Sequence, residues 1–174
     1  AIQHAAAAGV VVVVAAGNDG KARPDAYATT LAGAGNGNVI IVGSVDTTGT
    51  ISSFSNRADG YSQYYMTALG EKVTVYVGGS GYLIDGTSFS APQVAGAAAL
   101  LAQAFPTLSA KDIVTLLLTS AQDVGAPGVD KVYGNGILDI ASAFQPKGTT
   151  SLAGTKTPLP INATTAVGSP AMGD

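Results

Sequence analysis

The chain has 174 residues, with 8 Lys and Arg against 11 Asp and Glu, 11% charged residues and no cysteine. This length can bury the core of one globular domain or a large part of one. The formal charge of −3, with no run of Lys or Arg, argues against nucleic acid or an anionic membrane surface as a partner. The absence of cysteine excludes disulfides and thiolate metal sites, and His4 is the single histidine. Any metal would have to be a hard ion held by oxygen ligands.

The chain opens on Ala1-Ile2-Gln3-His4 without Met, a charged signal region or a helix cap, as expected of a chain that starts inside an element. Residues Ala1 to Ala8 read as a helix stopped by Gly9. Val10 to Ala16 comes next as an apolar run without polar alternation, too short to span a bilayer and expected to be a strand covered on both faces. Gly17-Asn18-Asp19-Gly20 breaks it with turn chemistry, and a loop is expected to continue to Asn38. Val39 to Gly43 reads as a second buried strand, and Asn56 and Gly60 punctuate the polar stretch around Ser52-Ser53-Phe54-Ser55. Lys72 to Val77 alternates as a strand ending at Gly78-Gly79, and Tyr82 to Asp85 adds a short one.

A helix of small and apolar residues is expected over Ser90 to Phe105, ended by Pro106. Another opens at Ser109, the N-cap, with Asp112 in its first turn, and runs to about Ser120. Gly134-Asn135-Gly136 leads into a short helix over Ile137 to Phe144. The expected domain is residues 1–146; residues 147–174, rich in Thr, Gly, Ala and Pro, read as a tail or linker. Helix, glycine and buried strand in succession imply an α/β fold with a largely parallel sheet.

The chemistry concentrates in Gly86-Thr-Ser88-Phe-Ser90-Ala-Pro92-Gln-Val-Ala-Gly96. A serine hydroxyl is a weak nucleophile that needs a base for its proton and donors for the oxyanion it creates. Gly86 permits a sharp turn, Pro92 fits a first helical turn, and Ser88 would then sit at a helix N-terminus, where free amides favour developing negative charge. On Gly-Thr-Ser alone, the bland alternative is that Thr87, Ser88 and Ser90 are capping hydroxyls.

The whole string resembles the nucleophile motif of the subtilisin-like serine proteases, Gly-Thr-Ser-x-Ala/Ser-Ala/Ser-Pro-x-Val-Ala-Gly. Val10 to Asn18 is similar to that family's buried strand ending in the oxyanion-hole Asn, in the same order along the chain. Further similarity covers Ile41 to Asp46, Phe54-Ser55 and Tyr133 to Asp139, so the resemblance runs over about residues 1–144, the C-terminal part of a family catalytic domain. It implies a three-layer α/β sandwich lacking its N-terminal part, with Ser88 as nucleophile and Asn18 as oxyanion donor. It also implies that Ala15, Ala16 and Gly17 line the primary specificity pocket of a peptide-hydrolysing enzyme that forms an acyl-enzyme. Structural calcium is implied by resemblance only, since no acidic cluster marks a site. The residues from Ala143 to Gly154 resemble the segment just after the protease domain in bacterial secreted or autotransporter members, which implies a secreted or cell-surface location.

The family's triad Asp and His precede the oxyanion Asn, and neither motif is in this chain. His4 lies where the family has no catalytic residue and reads as a surface-helix residue. Asp19, Asp46, Asp85 and Asp139 read as turn or capping groups. Alone, the chain is expected not to turn over peptides efficiently: either the Asp and His belong to an N-terminal companion chain that stays associated after cleavage, or the chain is an incomplete piece. The alternative is a noncatalytic pseudoprotease or passenger fragment of a secreted surface protein. An α/β-hydrolase is disfavoured because its Gly-x-Ser-x-Gly elbow would need glycine where Ser90 stands. Phosphate binding by Gly33-Ala-Gly35-Asn-Gly37 is disfavoured because that stretch precedes a strand.

Overall fold

The computed structural model describes residues 1–145 and two short strands, Thr150–Ser151 and Pro158–Leu159, which pair antiparallel. The rest of the expected tail lies outside the described residues. Helix α1 (Ile2–Ala7) ends before Gly9, whose φ of +70° only glycine adopts at little cost. Strand β1 (Val12–Ala15), helix α2 (Ala26–Ala34), strand β2 (Val39–Val45) and strand β3 (Tyr65–Leu69) come next. A hairpin of β4 (Val73–Val77) and β5 (Ser80–Ile84) then leads into helices α3 (Thr87–Ala104), α4 (Ala110–Ser120) and α5 (Ile140–Ala143).

The sheet runs β1-β2-β3 with every pairing parallel, Val12 opposite Val39 and Ile41 opposite Tyr65. All seven residues of β2 are buried, which explains its uninterrupted apolar reading. Because side chains alternate along a strand, Ile40 and Val42 join Met66, Val94, Leu101, Ile113 and Leu117 under α3 and α4. Val39 and Ile41 turn the other way, toward Ala28 and Ala32 of α2 and the ring of Tyr65. The result is three layers, helix on sheet on helix, as the α/β reading expects.

Four local expectations are corrected. The loop expected to Asn38 contains α2, whose Ala, Thr and Gly residues carry no strong periodic signal and are held helical by packing on β2. β1 is partly exposed along most of its length because, among the described residues, it pairs only with β2 and leaves its other edge free. Helix α3 begins at Thr87, so Pro92 is its sixth residue rather than a first-turn one. Lacking an N–H, Pro92 cannot donate to the Ser88 carbonyl four residues back. The last helix is confined to Ile140–Ala143, because Ile137 is held in backbone pairing with Gln122 and Leu138 in pairing with Thr67.

Candidate functional site

Two segments meet at the C-terminal end of the sheet. The turn after β1 carries Asn18, and the first turn of α3 carries Ser88. The Thr87 N–H and the Thr87 hydroxyl both donate to Asn18 Oδ1, each at 2.9 Å. These two donors fix the amide: Oδ1 must face Thr87, so Nδ2 points away from it. Among the described residues, neither Asn18 Nδ2 nor the Ser88 N–H has a hydrogen-bond partner. Asn18 and Ser88 are both exposed, so these donors are open to a ligand.

Gly86 precedes the helix as its N-cap with φ 152°, and no side-chain hydroxyl caps α3. The capping alternative for Thr87, Ser88 and Ser90 therefore does not describe their contacts. Thr87 is buried and bound to Asn18, while Ser88 lies in the first turn of an 18-residue helix. That position supplies free amides and the positive end of the helix dipole. Ser90 is fully buried, and among the described residues its hydroxyl has no hydrogen-bond partner. It lies under α3 against Gly70, where a Cβ would overlap Ser90 Oγ and stand 2.6 Å from Ser44 Oγ.

The Asn18 turn is held by a side chain that the sequence offered only as punctuation. Asn56 is fully buried, and its Oδ1 accepts from the N–H groups of Asp19 at 3.1 Å and Lys21 at 2.9 Å. Its Nδ2 donates to the Ala16 carbonyl at 3.1 Å and to Asp25 Oδ1 at 2.9 Å. Asp25 is the N-cap residue of α2, yet its carboxylate makes no capping bond and turns toward this amide instead. Ala16 is buried, while Ala15 and Gly17 are half-buried; Gly17 adopts φ +105° with its Cα against Asp25 and Asn56.

His4 is exposed on α1 and makes no hydrogen bond to Ser88. The carboxylates read as turn or capping groups are engaged with neighbouring backbone, hydroxyls or ammonium. Asp46 accepts from Thr48 and Thr50, Asp85 from the Lys72 N–H, and Asp139 from the Ser142 N–H. Lys21 Nζ lies 2.6 Å from Asp19 Oδ2, an exposed ion pair that holds the ammonium above its ordinary pKa through the Asp19 hydrogen bond and charge. Among the described residues no group of three or more His, Asp or Glu is placed to hold a metal ion, and no helix is long and apolar enough to cross a membrane.

Comparison with known proteins agrees with this architecture. The sequence model of the subtilase family, peptidase S8, matches residues 1–136. Subtilisin DY of Bacillus licheniformis is 35% identical over 146 residues, covering 83% of this chain and 50% of that protein. The autotransporter lipoprotein NalP of Neisseria meningitidis is 56% identical over 61 residues, 35% of this chain and 6% of that one. Among solved structures, the patellamide maturation protease PatA superposes with a TM-score of 0.69 at 32% identity, over 82% of this chain and 53% of that one. The chain spans about half the length of the subtilisin it matches. The matched residues, the mostly parallel three-layer fold and the solved neighbours agree: this chain belongs to the subtilase family of serine proteases.

Proposed function

We propose that this chain supplies the nucleophile and the oxyanion hole of a serine endopeptidase. Ser88 Oγ attacks the scissile carbonyl, and its proton passes to a histidine contributed from outside this chain and oriented by an outside aspartate. The new oxyanion accepts from Asn18 Nδ2 and the Ser88 N–H. As the tetrahedral species collapses, the C–N bond breaks and the histidine returns the proton to the leaving amine. Water then hydrolyses the acyl-enzyme by the same route. Ala15, Ala16 and Gly17 line the pocket for the residue before the cut, and residues 147–174 serve as a tail or linker.

The observation that carries this reading is the pair of Thr87 bonds to Asn18 Oδ1, which leaves the amide's donor end free beside a serine at a helix N-terminus. The free edge of β1 and the exposed Val10 support a companion segment bearing the Asp and His, since an unpaired apolar edge favours addition of another strand. The resemblance to an autotransporter lipoprotein and to a subtilisin supports a secreted or cell-surface location. In the complete enzyme, Ser88→Ala should abolish acyl-enzyme formation with the fold retained. Asn18→Ala should lower kcat about 10²- to 10³-fold with little change in KM, a scale established in a subtilisin rather than derived for this chain. Retained proteolysis by Ser88→Ala, or a loss confined to KM in Asn18→Ala, would count against the respective role.

A further inference from the structure

We infer that Asn56, held in place by Asp25, is a positioning residue that sets the geometry of Asn18. The inference rests on the oxyanion reading of Asn18 and deepens it. One buried amide makes four hydrogen bonds, all to the segment that carries Asn18: to the Ala16 carbonyl before it, to the Asp19 and Lys21 N–H groups after it, and to the Asp25 carboxylate that closes the turn. Both oxygen lone pairs and both amide protons are used, so the side chain has no alternative partner and no second orientation.

The backbone of the same segment runs alongside the turn. The Asn56 N–H donates to the Gly17 carbonyl, Gly20 N–H to Phe54, Arg57 N–H to Lys21, and Asp59 N–H to Ala22. The Asn18 turn is thus templated on residues 54–59 rather than on its own sequence. That template is itself anchored to the sheet: the Tyr65 hydroxyl donates to the Asn56 carbonyl at 2.6 Å, and the Ser44 N–H donates to Ser55 Oγ at 2.9 Å. Burial pushes the Tyr65 phenol well above its ordinary pKa, so this donor keeps its proton across any working pH.

Asn18 is therefore gripped at two points: its side chain by Thr87, and the backbone on either side of it by Asn56. An oxyanion donor acts only where the charge develops, and misplacing a catalytic group by about 1 Å can cost on the order of 10²-fold. Loosening the turn should accordingly weaken transition-state binding while leaving ground-state binding intact.

The test is a double-mutant cycle in the complete protease with a peptide substrate, comparing Asn18→Ala, Asn56→Asp and the pair. Asn56→Asp keeps the acceptor for Asp19 and Lys21 and replaces the donor facing Ala16 and Asp25 with negative charge. The expected result is a kcat loss of about tenfold or more with KM nearly unchanged, and a double variant within about twofold of Asn18→Ala alone, because the route through Asn18 is already gone. Losses that multiply, or a loss in KM alone, overturn the positioning role. An unchanged kcat in Asn18→Ala would instead sink the oxyanion reading itself. Should Asn56→Asp not fold, Asp25→Ala at a half-exposed position releases one anchor of the amide. It should lower kcat severalfold at constant KM, and wild-type kcat there overturns the inference.

Discussion

Thr87 shows how a residue's role is set by what lies across from it. In sequence it stands where a capping hydroxyl is common, yet its oxygen reaches Asn18, 69 positions away. Replacing it with valine keeps the branched shape at a fully buried site and removes one of the two donors that orient Asn18 Oδ1. A net hydrogen bond contributes about 0.5–1.5 kcal/mol, so Thr87→Val should lower kcat about two- to twelvefold in the complete enzyme, with KM near wild type. A fall in KM-dependent binding alone would show that Thr87 does not act through Asn18. The proposed nucleophile and oxyanion donor stood out in the sequence because Gly86 to Gly96 and Val10 to Asn18 are contiguous strings. Asn56 did not, because its four side-chain partners lie 31 to 40 residues away and its neighbours carry no periodic signal.

Elements whose apolar pattern matches their burial were equally legible. β2 reads as an unbroken buried strand, and α4 begins with a capping box of Ser109 and Asp112. The β4–β5 hairpin was legible from its turn at the expected Gly78-Gly79 instead, since its large apolar side chains, Tyr76, Val77, Tyr82 and Leu83, are exposed. Helix α2 was missed because its residues favour no period, and β3 because Tyr65 to Leu69 mixes polar and apolar residues although four of its five positions are buried. The capping box predicts a pH dependence. Hydrogen bonds from the Ser109 hydroxyl and N–H hold the Asp112 carboxyl below its ordinary value of 3.8. A carboxyl depressed in the folded state stabilises above its unfolded pKa, and that contribution is lost as pH falls through the folded value. The stability difference between wild type and Ser109→Ala, read from urea unfolding, should therefore shrink as pH drops below about 4. A difference that stays constant would separate the cap from the Asp112 charge.

The seat of α3 makes a second prediction at this scale. Gly70 lies so close to Ser90 Oγ, Ser44 Oγ and the Gly86 carbonyl that a methyl group cannot fit without moving the start of the helix. Gly70→Ala should destabilise by about 1–3 kcal/mol. Ser90→Ala removes a buried hydroxyl that lacks a hydrogen-bond partner among the described residues, so it should be neutral or stabilising and should recover part of the Gly70→Ala loss. Strictly additive effects in denaturant unfolding would mean that the two positions do not share this contact.

At the scale of the molecule, the chain folds three layers around a parallel sheet and brings the Asn18 turn and the Ser88 helix start together at its C-terminal end, while among the described residues β1 keeps a free edge. We propose that Ser88 is activated only when a base from outside these residues is in place. The most direct measurement is treatment with a fluorophosphonate, then peptide mass mapping, of this chain alone and of the complete protease. A single adduct on Ser88 is expected in the complete protease, none in its Ser88→Ala variant, and no appreciable reaction of the isolated chain. An adduct on another residue would remove Ser88 as the nucleophile, and labelling of the isolated chain at the same rate would show that no outside base is needed.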